Sequence, residues 1–355
     1  EQKKTMMINT ISKKIIKSSS AIRPLGSLTR SFIKTPMVCN PNINDDETPK
    51  ILAERQVGYG IAKGASSKIQ LELKDYITHN MTDVLGQNEA RINQEKLEMI
   101  RRDKKGFIVD LDGTLWVTLM SGDNKALKGA RQFVEWVLEN DREILLLTNG
   151  SMRNNRALVE KFERLIKIRL DEHHFINSCE SVAGFIARQS PNARCFMLGE
   201  PALREALERA GLQVVEDDPQ YVVMGEAKDY KDLVKGLNFV NRGARFIATN
   251  SDTVDIMDNH DLYPSTGSFV KIIASATGIE PYFLGKPNNL MLRAAVDRLD
   301  LRHRECVVVG DRMNTDILCA TEARMDSVLV LTGVTSATDI SRFAYKPTCV
   351  LNSVE

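Results

Sequence analysis

No stretch of this chain approaches the roughly 18 consecutive apolar residues that a membrane-spanning helix needs, so no membrane partner is expected. Charge of one sign is missing too. The formal net charge is +1 with 27% charged residues, an ordinary surface with no basic field to draw in a nucleic-acid polymer. The six cysteines, Cys39, Cys179, Cys195, Cys306, Cys319 and Cys349, are scattered and form no C-x-x-C pair. A disulfide framework or zinc site is therefore not expected, and reduced thiols in an intracellular protein fit better. His173-His174 lacks any H-E-x-x-H context and reads as surface or loop. Acids are almost absent from residues 1–44, where Glu1 stands against eight lysines and arginines among recurring serines. An organelle transit peptide has this composition, and so does a disordered basic tail. The expected location is cytoplasmic, or a mitochondrial or other organelle matrix if that segment is an address.

What is present points to one architecture. With 355 residues there is room for one large or two medium domains and an ample core. Residues 45–103 read as linker and then polar helix, the helix beginning near residue 77 and leading into the first core strand. From residue 106 apolar strands alternate with helices: GFIVDL, EILLLTN, FINSC, ARCFMLG, QYVVMG, ARFIATN, YFLG, ECVVVGD and SVLVLTG are the strands. ALKGARQFVEWVLEN and MRNNRALVEKFERLIKI are among the helices between them. Continuous apolar strands between helices mean an α/β fold whose parallel sheet is covered on both faces. Ligands of such doubly wound sheets bind beyond the carboxyl ends of the strands, where the strand order reverses.

Polar residues collect at those ends. FIVDLDGTLW, residues 107–116, places Asp110 and Asp112 directly after an apolar run. Thr148-Asn149-Gly150 ends the second strand, Lys286 sits in GKP, and Asp311 and Asp316 in GDRMNTD. Each has an ordinary reading alone: a polar turn, a helix cap, a solvated lysine. A calcium loop of the EF-hand type is excluded, because its twelfth position here is Ser121. Together and in this order they match phosphoryl transfer. One carboxylate attacks phosphorus, a second moves protons, and magnesium relieves the repulsion among Asp110, Asp112 and Asp311. A hydroxyl, a backbone amide and a lysine would hold the other phosphate oxygens.

With these motifs the chain resembles the haloacid dehalogenase superfamily of phosphatases. D-L-D-G-T is similar to its first motif, L-L-L-T-N to its second, G-K-P to its third and G-D-R-M-N-T-D-I to its fourth, over roughly residues 104–354. The resemblance implies a Rossmann-like core over 104–189 and 281–355. It makes Asp110 the nucleophile and Asp112 the general acid/base, with the Asp112 backbone carbonyl also facing magnesium. Thr148, Asn149 and Lys286 become phosphate binders, Asp110, Asp112 and Asp311 metal ligands, and Asp316 support for the metal shell. The 36 positions from Asp112 to Thr148 leave no room for a domain, whereas the 138 from Thr148 to Lys286 do. An inserted α/β cap of the C2 type is expected there, over 190–280, with residues 249–268 as its substrate-facing loop. GARFIATNSDT, YPSTGSF and ATGIEPYFLGKPNNLM resemble the NagD-like branch.

The implied activity is a magnesium-dependent phosphomonoesterase for small phosphate esters, nucleoside monophosphates or 4-nitrophenyl-phosphate-like substrates. Phosphoglycolate and pyridoxal phosphate are the alternative substrates. A phosphotransferase on the same scaffold and a catalytically silent metabolite-binding protein are remoter readings. A homodimer through the cap is a further expectation. Gly150 and Ser251 depart from the asparagine and proline usual in the family, which weakens any transfer of substrate identity.

Overall fold

The computed structural model describes residues 88–119, 123–226, 229–256 and 262–355. The basic segment 1–44 and the linker up to residue 87 lie outside the described residues. The described part belongs to one unit, Gly86–Glu355. Helix α1 (88–103) covers the described part of the polar helix and turns Ile100 inward.

Six parallel strands form the first sheet, in the order β15 (Cys349–Leu351), β14 (Asp326–Val330), β13 (Cys306–Gly310), β1 (Gly106–Val109), β4 (Glu143–Thr148) and β5 (Phe175–Asn177). β1, with the sequence GFIV, is buried at every position, and so is β13, with CVVVG. Successive side chains of a strand point to opposite faces, and here both faces are core. Phe107, Val109, Val307 and Val309 pack with Val134 and Val137 of α2 (Ala130–Glu139) and Phe162 of α3 (Asn155–Ile166). Ile108, Leu145 and Val308 pack on the other side with Met291, Leu292 and Val296 of α8 (Asn289–Arg298). The chain runs outward from β1 through β4 to β5, then returns to β13 on the other flank of β1 and runs outward again. β1 and β13 therefore flank the point where the order reverses.

A second parallel sheet has the order β12 (Tyr282–Phe283), β9 (Arg245–Ala248), β8 (Tyr221–Met224), β6 (Arg194–Leu198) and β7 (Gln213–Val214). One face packs on α4 (Ser178–Gln189) and α5 (Pro201–Arg209), the other on α6 (Tyr230–Asn241) and α7 (Thr266–Thr277). This second sheet falls where the inserted cap is expected, and elements on either side of 190–280 pack with it. Helix α4, expected in the core, joins the cap's apolar cluster through Cys179, Val182, Ala183 and Ile186. The YF pair, expected in the first sheet, is hydrogen-bonded to β9. Two antiparallel hairpins complete the fold: β2 (Trp116–Thr118) with β3 (Asn124–Ala126), and β10 (Val254–Ile256) with β11 (Leu262–Pro264). The first hairpin shortens the helix expected from residue 126, which begins only after Gly129 at φ 82°.

The five described cysteines are unpaired and buried. No helix among the described residues is long and apolar enough to cross a membrane.

Candidate active site

Asp110 follows β1 and Asp311 follows β13, so the two carboxylates leave neighbouring strands at the reversal point. Their approach depends on missing side chains. Gly113 turns the chain after β1 at φ 84°, and a Cβ there would strike the Asp311 carboxylate. A Cβ on Gly333 would strike the same group, and one on Gly310 would strike Asp316. Asp316 comes from a π-helical turn, Met313–Ile317, which carries it beneath the strand ends. Such turns recur at functional sites.

Asp110, Asp311 and Asp316 are buried and offer carboxylate oxygens within 4.8 Å of one another. One ammonium answers them. Lys286 donates to Asp110 and, at 2.7 Å, to Asp316 Oδ1. Burial pushes Asp110 well above the ordinary carboxylate value; Lys286 pulls it down, while Asp316 and Asp311 push it further up. Asp311 is pushed up to about 7, first by burial and then by Asp316. Burial alone would lower Lys286, but Asp110 and Asp316 outweigh it and raise it above the ordinary lysine value.

Arg312 also attracts Asp311 but is shared with Asp252 and Asp255, so a surplus of negative charge remains that burial makes costly. Asp311 Oδ2 accepts the Val334 N–H at 2.7 Å, but Oδ1 is buried without a hydrogen-bond partner. Hard oxygens, one of them orphaned, with uncompensated negative charge, fit a divalent cation.

Thr148 and Asn149 end β4 beside this cluster. Thr148 Oγ1 accepts the Gly150 N–H at 2.9 Å, which leaves its own hydroxyl proton to donate. The Asn149 side chain is committed to the chain that carries Lys286. Its Oδ1 accepts the Lys286 N–H at 2.7 Å and its Nδ2 donates to the Lys286 carbonyl at 3.0 Å. The same Nδ2 reaches Asp252 Oδ2 of the cap at 3.0 Å. Asn149 thus holds the backbone of Lys286 where the chain returns from the cap.

Asp112 stands apart from the buried trio. Its side chain is 53% exposed, and Oδ1 accepts Trp116 Nε1–H at 2.7 Å and lies 3.5 Å from Lys161 Nζ. Lys161 and Arg312 were not among the residues expected from sequence. Arg312, next to Asp311 in the fourth motif, reaches Asp252 at 3.7 Å and Asp255 at 3.5 Å. Burial would lower its guanidinium, but Asp252, Asp311 and Asp255 together raise it. A sequence signal existed for Lys161: it falls on the α3 face that also carries Leu158 and Phe162, where a lysine is out of place. The acids, Thr148, Asn149, Lys161, Lys286 and Arg312 line one cavity of about 620 Å³ between the strand ends and the second sheet's loops, a size suited to a small ligand. Asp252, Asp255 and Ser265, from the loop expected to face substrate, form part of its wall.

A haloacid dehalogenase-like hydrolase family model matches residues 107–213, and a HAD-hydrolase-like model matches 283–355. Ribonucleotide monophosphatase NagD of Escherichia coli (strain K12) is 33% identical over 252 residues, covering 70% of this chain and 96% of the relative. The chain belongs to the haloacid dehalogenase superfamily. Its place there is in the NagD-like branch, and it is a phosphoric monoester hydrolase for small phosphate esters. Among solved structures, the p-nitrophenyl phosphatase from Archaeoglobus fulgidus superposes with a TM-score of 0.65 at 33% identity, covering 71% of this chain and 97% of that one. The glycerol phosphate phosphatase from Mycobacterium tuberculosis in complex with magnesium gives 0.65 at 30% identity, covering 72% and 76%.

Proposed function

We propose that this phosphatase works with magnesium and carries the phosphoryl group covalently on Asp110. The observation behind this reading is the buried Asp110–Lys286–Asp316 bridge beside the orphaned oxygen of Asp311. Asp110, Asp311 and the Asp112 backbone carbonyl would hold the ion, with Asp316 supporting them. Magnesium would neutralise the acidic cluster and draw charge from the phosphoryl oxygens.

The chain's own residues would do the rest. A carboxylate oxygen of Asp110 bonds to phosphorus as the ester P–O bond breaks, and the Asp112 carboxyl gives its proton to the departing alcohol. Asp112, now a carboxylate, takes a proton from water as that water attacks the aspartyl phosphate. The bond to Asp110 breaks and orthophosphate leaves. The Thr148 hydroxyl and the Lys286 ammonium hold phosphoryl oxygens throughout, and Asn149 keeps Lys286 in register.

Nucleoside monophosphates and 4-nitrophenyl-phosphate-like esters are the first substrate reading, supported by the relatives named for such activities. A second reading has its own support. Among the described residues no Phe, Tyr or Trp lines the cavity, whereas Glu226, Asp252 and Asp255 do. Such a wall suits a hydroxyl-bearing alkyl phosphate, as in the relative named for glycerol phosphate, better than a base that needs a stacking surface. Hydrolysis of uridine monophosphate, 4-nitrophenyl phosphate, glycerol 3-phosphate, phosphoglycolate and pyridoxal phosphate, with magnesium and with chelator, separates these. Turnover undiminished by chelator would reject the metal reading, and a kcat/KM for the nucleotide above that for glycerol 3-phosphate would reject the second substrate reading.

The cluster also sets a pH dependence. Asp110 and Asp311 are raised in the folded protein, so protons compete with the ion for the same oxygens. Magnesium affinity is expected to strengthen as pH rises through about 7, by up to about tenfold per unit for each proton displaced. In metal-free protein the sign runs the other way. A carboxyl raised in the folded state contributes most below its unfolded value near 4, and its contribution is lost as pH rises towards about 7. Calorimetric titration with magnesium at pH 6 and pH 8 checks this, and equal affinities would count against the acidic cluster as the ion's site.

A further inference from the structure

We propose that Lys161, together with the Trp116 indole, is a positioning residue that orients the proton-transferring carboxylate of Asp112. The inference rests on the reading of Asp112 as general acid. Lys161 is only 8% exposed, an unusual place for an ammonium. Helix α3 puts it there, in line with Leu158 and Phe162, and its neighbours on that wall are a ring and a carboxylate. Its Nζ lies 4.3 Å from the centroid of the Trp116 ring and 3.5 Å from Asp112 Oδ1. A cation over an indole face is stabilised by the ring's quadrupole, more so when it is desolvated. Trp116 is fully buried, edge-on to Phe162 at 6.5 Å, so its ring is a fixed platform. The Trp116 N–H then donates to the same Asp112 oxygen at 2.7 Å.

The consequence is chemical. Asp112 is half-exposed, and a solvated aspartate hops between rotamers on the picosecond-to-nanosecond scale. Two cationic or N–H groups on one oxygen select one rotamer. Both fall on Oδ1, which leaves Oδ2 to meet the leaving-group oxygen. Among the strongest charges acting on Lys161, Arg153 and Arg164 repel it and Asp112 attracts it. Burying a lysine here costs stability that a leucine at the same helix position would not. That cost makes sense if the ammonium serves the carboxylate.

The experiment compares esters whose leaving groups need protonation to different degrees. Lys161→Met keeps the apolar stem and removes the charge. Its kcat should fall about 10- to 100-fold for glycerol 3-phosphate, part of the roughly 10²- to 10⁴-fold a general acid supplies, and by at most about twofold for 4-nitrophenyl phosphate. KM should change little with either ester, and Lys161→Arg should recover most of the lost rate. Asp112→Asn is the reference. It should show the same preference more strongly, and the double variant should be no slower than Asp112→Asn alone, because residues acting as one unit are not additive. Equal losses on both esters in Asp112→Asn would remove the general-acid reading itself. A selective Asp112→Asn beside a Lys161→Met that loses equally on both esters, or only raises KM, would overturn the positioning role and leave Lys161 a wall charge. Additive losses in the double variant would overturn it as well. Should Lys161→Met fail to fold, Trp116→Phe keeps an aromatic face, though a smaller one, and removes the N–H, and an unselective loss of kcat there with the fold intact counts against the proposal equally.

Discussion

Asp110→Asn is expected to abolish turnover, by at least about 10⁴-fold, while leaving the metal-free protein as stable as before or more so. The first half rests on chemistry: an amide is a poor nucleophile and a weaker metal ligand than a carboxylate, and no other buried carboxylate can take its place in line. Asp311 is walled in by Gly113 and Gly333, and Asp316 is tied to Lys286 and to the Arg312 N–H at 3.1 Å. The second half rests on charge. Burial, Asp316 and Asp311 all work against an ionised Asp110, and Lys286 works for it, with a smaller pull from Arg312. Removing that charge relieves repulsion, although Lys286 loses one partner. Activity and stability should therefore part company, as they do where a site holds groups in costly ionisation states. Acid-quenched enzyme given phosphorus-labelled substrate should carry label in the parent and none in Asp110→Asn, and melting curves in chelator should not fall. Label surviving in the variant would place the covalent phosphate on another residue.

Much of this site is legible in the sequence because its residues close continuous apolar runs. β1, β4 and β13 are central parallel strands, and their shortness, β-branched content and flanking turn residues, rather than any alternation, mark them as strands. The polar residue that closes each run stands at the carboxyl edge of the sheet, so Asp110, Thr148 and Asp311 come together from positions far apart in the chain. The cap boundaries are less legible for a physical reason. β12 is the two-residue pair Tyr282–Phe283, too short to tell which sheet will take it. The helix Ser178–Gln189 has an apolar face that would serve either sheet equally well. Asn149 illustrates another limit. Its place at a strand end points to the site, but nothing in the sequence shows that its side-chain amide clasps the Lys286 backbone, 137 positions away. Lys161 is hidden by its residue type: a lysine within a helix is normally solvated, and only its phase against Leu158 and Phe162 marks it as inward.

Lys286→Ala should show a different pattern, with a large loss that ignores the leaving group. In the proposed mechanism Lys286 meets the phosphoryl oxygens rather than the alcohol, so kcat should fall about 10²- to 10³-fold for 4-nitrophenyl phosphate and glycerol 3-phosphate alike. It should also be the costliest single change to the fold at this site. In metal-free protein its removal leaves Asp110, Asp311 and Asp316 buried within 4.8 Å of one another without the ammonium that bridges Asp110 and Asp316. Breaking a buried pair from one side typically costs about 3–5 kcal/mol. The deficit should shrink on acidification, because Asp110 and Asp311, already raised, rise further without the ammonium and are neutral at low pH. Magnesium should shrink it too, by supplying the missing charge. Melting temperatures at pH 5 and pH 8, with and without magnesium, test the structural half on the same samples that give kcat. A variant that loses kcat on the alkyl ester but not on the aryl one would assign Lys286 to the leaving group. A variant whose stability deficit grows on acidification would mean that the three carboxylates are not what Lys286 holds together.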